Sequence, residues 1–175
     1  LFVCFFSFTM AKPEGMDSSV YVEELEGLFD KPISWSSFLN GFYAEGNLTL
    51  DFYQPFITFV MSFFTDNGNV LFLVFGIVFG YFYSRNMWLL LDIAKGFKIT
   101  KVQWALIVTF ACVIGFWSIN GVRMWTAAHI FFYGTFLYFM KGENKYLLIA
   151  ATSIFVHFSF ALPVGMLFLF VLLLF

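Results

Sequence analysis

A single arginine lies within a long apolar part of the chain and is the first candidate for chemistry. Arg123 is the one residue certain to carry a charge among the 39 residues from Val102 to Met140. It follows Asn120-Gly121, a pair typical of turns, so it would lie near a helix N-terminus. The partial positive charge there disfavours arginine unless an anion is present. With an anion, the guanidinium and the unpaired backbone N–H groups form a phosphate site. The alternative is an anchor at the membrane interface.

The two histidines receive different interpretations. His157 falls in an apolar segment, one turn after Ser153, and a histidine in a membrane span usually faces the bundle interior or a wet cavity. It is a candidate general base, a phosphate contact or an interhelical hydrogen bonder. His129 comes six residues after Arg123 and so points about 120° away from it around a helix. We therefore expect His129 to have a packing role.

Asp17 and Tyr21 begin and end the stretch DSSVY in an acidic part of the chain. Asp and Ser at this position are also typical of an ordinary helix N-cap. On the residues alone, the N-cap interpretation is favoured over a functional role for Asp17 and Tyr21.

The composition indicates an all-α membrane protein. Hydrophobic residues make up 61% of the chain and charged residues 11%, whereas soluble domains carry about 25% charged residues. Crossing the hydrocarbon core takes about 20 apolar residues per helix. We expect one polytopic transmembrane bundle of about 5–6 membrane segments, with an acidic extracytoplasmic loop and truncated ends.

The expected segments follow the apolar runs and the polar interruptions between them. Residues 1–11 read as a truncated first helix or, alternatively, a signal peptide. A segment lying on the membrane face is expected at 87–101, and Pro163 is expected to break the chain. The remaining segments are an outer loop (12–52), an interfacial or half helix (53–64), spans (68–84, 102–119, 122–140, 146–160) and a truncated span (164–175).

Basic residues predict the orientation, because cytoplasmic loops are enriched in lysine and arginine. Segments 85–101 and 141–145 hold six of the nine basic residues, whereas eight of the eleven acidic residues fall between Glu14 and Asp51. The acidic loop, the Asn120-Gly121 turn and the end of the 146–160 helix are then expected on the outer face. This arrangement would bring Asp17, Arg123 and His157 to one side of the membrane.

Several other function classes have no support in the sequence. There is no basic stripe for nucleic acid and no Gly-rich loop preceding a helix, as nucleotide binding requires. No metal-ligand cluster is visible either, so we expect neither a cofactor nor a metal site.

Four elements together resemble a known family. They are GMDSSVY (15–21), NGVRMWTAA (120–128), the basic turn KGENK (141–145) and FVHFSFAL (155–162). In this order they resemble the EpsG-like branch of the Wzy-type bacterial polysaccharide polymerases, over most of residues 12–162. Met124 occupies a position where glutamine is usual in the family.

The resemblance implies a multi-pass enzyme of the bacterial cytoplasmic membrane that is active on its outer face. It would transfer a glycan from undecaprenyl diphosphate onto another lipid-linked repeat unit in exopolysaccharide or O-antigen assembly, beside other assembly proteins. Arg123 and His157 are then the expected catalytic residues, and Asp17, Tyr21 and Asn120 the expected substrate-binding residues. The alternatives are a transporter or flippase for an anionic lipid-linked glycan or solute, and a non-catalytic membrane scaffold.

Overall fold

The protein is all-α. A computed structural model describes residues 1–10, 12, 15–43, 51–96, 100–113 and 115–174, and contains no β-strand within them. Two 3₁₀ helices, Phe116–Gly121 and Phe158–Phe160, lie before α7 and α9. The helices are α1 (Phe2–Thr9), α2 (Asp17–Asp30), α3 (Trp35–Tyr43), α4 (Tyr53–Met61), α5 (Gly68–Gly96), α6 (Lys101–Val113), α7 (Val122–Lys141), α8 (Lys145–Val156) and α9 (Ala161–Leu174).

Local capping explains where two of the long helices begin and end. Before α5, the side-chain oxygen of Asn67 accepts a hydrogen bond from the backbone N–H of Asn69 at 2.9 Å, which satisfies one of the unpaired donors of the first turn. After α7, Gly142 adopts φ 68° and its N–H donates to the carbonyl of Tyr138 at 2.8 Å. Glycine is favoured there because side chains rarely adopt this left-handed conformation.

The longest helix, α5, replaces two predicted segments. The sequence predicted a span at 68–84 and a separate surface segment at 87–101, but α5 runs through Arg85-Asn86 to Gly96 without a break. Its 29 residues correspond to about 43 Å at 1.5 Å per residue. Within the described residues, Gly68–Lys95 is the one helix long and apolar enough to cross a membrane.

The later predicted spans form shorter or less apolar helices. The segment predicted at 102–119 divides into α6 and the first 3₁₀ helix. Helix α7 has 20 residues but is less apolar, because Arg123, His129, Lys141 and two tyrosines lie in it. The predicted 146–160 span ends earlier, since α8 stops at Val156 and His157 is extended. Pro163 was expected to break the chain but lies in the first turn of α9, where proline is tolerated.

The predicted outer loop is partly helical. Within residues 12–52 the structure has α2 and α3, and residues 44–50 lie outside the described part. Tyr21 and Leu25 of α2 are buried in one core cluster with residues of α5 and with Val122 at the start of α7. A second cluster joins the end of α7 to α8 and α9. The first cluster holds α2 against the N-terminal end of α7.

Glycines allow two pairs of helices to approach closely. A Cβ added at Gly134 of α7 would lie 2.7 Å from the carbonyl oxygen of Tyr146 and 2.9 Å from Cα of Ala150, both backbone atoms of α8. On α5, Cβ atoms at Gly76 and Gly80 would meet Ser7 and Val3 of α1. Small residues four apart are typical of helix contacts in membranes, where backbones pack closely.

We predict that Gly134→Ala destabilises the protein by about 1–3 kcal/mol, the usual penalty for overpacking a tight contact. The added methyl group meets the backbone of α8, which cannot move away as a flexible side chain would. The measurement is the free energy of unfolding of the purified protein in detergent micelles.

Gly165→Ala is the matched control, because it adds the same methyl group to an apolar helix where no atom lies within 4 Å. We expect unchanged or slightly higher stability, since alanine favours helix by up to about 1 kcal/mol over glycine. Equal losses in the two variants would contradict the proposed close contact between α7 and α8.

Candidate functional site

A buried carboxylate, that of Asp51, lies at the centre of the candidate site. Its Oδ2 accepts a hydrogen bond from Arg123 Nη1 at 3.2 Å and lies 2.8 Å from His157 Nδ1. Its Oδ1 accepts from the backbone N–H of Phe158 at 2.6 Å. The Asp51 side chain is 10% exposed, and three donors compensate for removing its charge from water. Three distant parts of the chain therefore meet at one side chain.

The break between α8 and α9 creates the His157 side of the site. His157 has φ −152° and ψ 118°, an extended conformation that ends α8. Phe158 is the first residue of the second 3₁₀ helix, so its N–H has no partner within that helix. Asp51 Oδ1 satisfies it, and the N–H of Phe52 donates to the carbonyl of Phe155 at 2.9 Å. The residues before α4 are thereby fixed to the break.

Arg123 is placed by the start of α7. The first 3₁₀ helix leads into α7 at Val122, so Arg123 is its second residue. Its side chain is 33% exposed, so it is not fully enclosed by the protein. The guanidinium carbon lies 5.9 Å from the centroid of the Tyr21 ring, within cation–π range. The guanidinium therefore lies between the Asp51 carboxylate and the aromatic ring of α2.

Tyr21 connects Arg123 to Asp17. Its hydroxyl donates to Asp17 Oδ2 at 3.5 Å, a long hydrogen bond between residues one turn apart on α2. Burial raises the pKa of the Tyr21 hydroxyl, while the nearby Arg123 guanidinium acts in the opposite direction. The hydroxyl thus stays protonated around neutral pH and can donate to Asp17.

Helix α2 is also tied to α4 beside the site. The buried side-chain amide of Gln54 donates to Glu24 Oε2 at 2.8 Å and to Thr58 Oγ1 at 3.1 Å. Glu24 is partly buried, whereas Glu23 and Glu26 on the same helix are exposed. The bond helps to keep Tyr21 beside Arg123.

Four of the five predicted site residues form one connected group. Contacts run from Asp17 through Tyr21 to Arg123, and through Asp51 to His157. The side chain of the fifth, Asn120, lies outside the described residues. His157 was expected within a helix, but it lies where the helix ends.

The sequence interpretation missed Asp51, the residue that joins the others. It was counted only as the last acid of the outer loop. One signal was present: Asp51 directly precedes the apolar run from Phe52 to Phe64. An acid beside such a run is placed close to the apolar core, where a carboxylate needs partners.

The predicted packing role of His129 agrees with the structure. His129 is fully buried, and its ring lies edge-on to Phe79, Tyr83 and Phe110. The side-chain amide of Asn86 donates to its carbonyl at 2.9 Å and lies 3.1 Å from its Nδ1. This contact joins α5 to α7.

Comparisons with known proteins identify no relative. The chain matches no family model, no curated protein and no solved structure. Among the described residues, no group of three or more His, Cys, Asp or Glu side chains is arranged to hold a metal ion. The interpretation of the site therefore rests on its geometry and on the four motifs.

We predict that Asp51→Ala lowers the free energy of unfolding by about 1–3 kcal/mol, because it leaves the Phe158 N–H without its acceptor and also removes the acceptor for Arg123 and His157. Because Arg123 and His157 are partly exposed, water can hydrogen-bond to them in the variant and reduce the loss of stability. The measurement is denaturant unfolding of the purified protein in micelles.

Asp92→Ala is the control, because Asp92 pairs with Lys95 at 3.1 Å and both side chains are more than half exposed. Removing such a surface pair changes stability by less than about 1 kcal/mol. A loss at Asp51 no larger than at Asp92 would show that the buried carboxylate does not hold the three segments together.

Proposed function

We propose that the chain is part of a multi-pass glycosyltransferase of the Wzy type in the bacterial cytoplasmic membrane, with its site on the outer face. It transfers a glycan from a polyprenyl diphosphate, such as undecaprenyl diphosphate, onto a hydroxyl of another lipid-linked repeat unit. The observation that carries the proposal is the pairing of Arg123 and His157 through one carboxylate oxygen, both side chains being partly exposed.

Exposed apolar helices support a membrane location and a bundle of several spans. Val102 and Leu106 of α6 are 68% and 63% exposed, and Leu172 of α9 is 74% exposed. In water, such surfaces would promote association with other proteins. In a membrane, they contact the lipid acyl chains directly. Leu148 and Phe155 of α8 are exposed in the same way, which supports a lipid-facing position for that helix. Together with α5, these helices supply four of the about 5–6 segments that we propose for the bundle.

Arg123 is suited to the diphosphate. A guanidinium presents five N–H donors in a planar fork that matches phosphate oxygens, and Asp51 engages one terminal nitrogen. The N-terminal end of α7 adds partial positive charge. As the glycosyl bond breaks, negative charge grows on the leaving diphosphate. A fixed cation there lowers the barrier because it is oriented beforehand.

His157 is suited to the acceptor hydroxyl. In the proposed step, the acceptor oxygen forms a bond to the anomeric carbon and the bond from that carbon to the diphosphate oxygen breaks. The bonding electrons leave with the lipid diphosphate at Arg123, and the hydroxyl proton passes to the imidazole of His157. Atoms and charge balance without a further reactant, and Asp17 and Tyr21 help to hold α2 over the donor.

We predict that Arg123→Ala lowers the transfer rate about 10²–10³-fold, the usual loss when one preorganised donor to a developing anion is removed. Arg123→Lys should retain part of the activity, because it keeps the charge but loses the bidentate geometry. His157→Ala should lower the rate about 10²–10⁴-fold, as for other general bases. The transfer rate is measured as the increase of glycan length with time, using purified protein and lipid-linked repeats.

Arg85→Ala is the matched control, since Arg85 is an exposed arginine on α5, outside the contacts that join the site. It should keep normal glycan length at equal protein levels. Normal length and yield in both alanine variants at the site would refute the proposal. Movement of the substrate across the membrane at unchanged length would identify a transporter instead.

A further inference from the structure

We propose that Asp51 is a positioning residue: it fixes the tautomer and orientation of the His157 imidazole so that Nε2 receives the proton of the acceptor hydroxyl. This inference rests on the proposed function for the identity of the proton donor. Its structural part, the tautomer, stands on the geometry of the site and can be tested without any substrate.

The tautomer follows from what each atom can donate. A carboxylate has acceptors only, and in a neutral imidazole one nitrogen donates while the other accepts. His157 Nδ1 lies 2.8 Å from Asp51 Oδ2, so Nδ1 carries the hydrogen. Nε2 then holds the lone pair, which is the atom that a general base needs. Without the carboxylate, neither tautomer is imposed on the ring.

Asp51 can do this because its own position is fixed. Oδ1 accepts a hydrogen bond at 2.6 Å from the backbone N–H of Phe158, the residue next to His157. Oδ2 also accepts a hydrogen bond from Arg123 Nη1 at 3.2 Å. The carboxylate is thus oriented by a backbone group adjacent to the histidine that it orients, and it has little freedom to rotate.

The same carboxylate relates the two proposed roles in space. Arg123 and His157 donate to the same oxygen atom, Asp51 Oδ2. Their donor nitrogens therefore both lie within about 3 Å of that atom. The leaving diphosphate at the guanidinium and the attacking hydroxyl at Nε2 would then occupy neighbouring positions. A displacement at one anomeric carbon requires both groups within reach of it.

Nitrogen-15 NMR of the full chain in micelles tests the inference, at a pH at which the imidazole is neutral. Two-bond couplings distinguish the Nδ1–H tautomer from the Nε2–H tautomer. The chain has two histidines, so the spectrum is simple, and buried His129 is an internal reference for correct folding. We expect the Nδ1–H tautomer for His157 in the native protein. The Nε2–H tautomer would overturn the proposal without any variant being made.

Asp51→Asn and Asp51→Leu test the cause. When the amide oxygen of Asn accepts from Phe158, its NH₂ group faces His157 Nδ1, which must then become the acceptor. We expect the Nε2–H tautomer to appear in both variants while the His129 signals stay unchanged. If His157 keeps the Nδ1–H form in both folded variants, another group sets the tautomer and the proposal is wrong.

A transfer assay separates this inference from the proposed function. With lipid-linked repeats, Asp51→Asn should lower kcat by about 10⁴-fold, the loss known when the carboxylate behind a catalytic imidazole becomes an amide. A native protein with the Nδ1–H tautomer but no transfer activity would refute the function and keep the positioning role. An active protein with the Nε2–H tautomer would refute the positioning role and keep the function.

Discussion

The hydrogen bonds of the Asp51 carboxylate are the constraint on which the site depends. A charged group that is nearly removed from water is stable only if donors replace its hydration. Here the donors come from the start of α7, from the histidine that follows α8 and from the backbone of the next residue. Since Asp51, Arg123 and the His157–Phe158 pair are far apart in sequence, no local propensity would bring them together. The carboxylate therefore selects one arrangement of the helix ends.

Packing of the helices determines whether that arrangement is geometrically possible. Arg123 is at the beginning of α7 and His157 directly follows the end of α8, so the distance between them depends on how these antiparallel helices approach each other. Gly134 lets the backbones touch at Tyr146 and Ala150. On the other side of Arg123, Tyr21 and Leu25 hold α2 in the core cluster that includes Val122. The apolar contacts set the frame, and the polar contacts fix the side chains within it.

The sequence predicts the candidate residues better than it predicts the elements. An arginine in an apolar run and a histidine in another are conspicuous, because both are expensive in lipid. Charge asymmetry predicts that they share one face of the membrane, and the structure brings both into contact with Asp51. Asp51 escaped notice because acids are common in a loop, and its burial depends on contacts that no short pattern encodes. In the predicted outer loop, the N-cap pattern at Asp17 marks where α2 begins, but the extent of the helix was not predicted. Because α2 buries Tyr21 and Leu25 against distant segments, tertiary packing decides its fold.

Pro163 has no functional group, yet one hydrogen bond of Asp51 depends on a break in the chain that this residue favours. If α8 continued through residue 163, the proline ring would clash with the carbonyl of Ser159, four residues earlier, and one backbone bond would be missing. In a continuous helix, the N–H of Phe158 would donate to the carbonyl of Ile154, four residues earlier. It would then no longer donate to the Asp51 carboxylate. By disfavouring one continuous helix through residue 163, the proline favours a break in the segment that presents this N–H to Asp51 Oδ1. A steric property of one ring thus contributes to the position of a backbone donor.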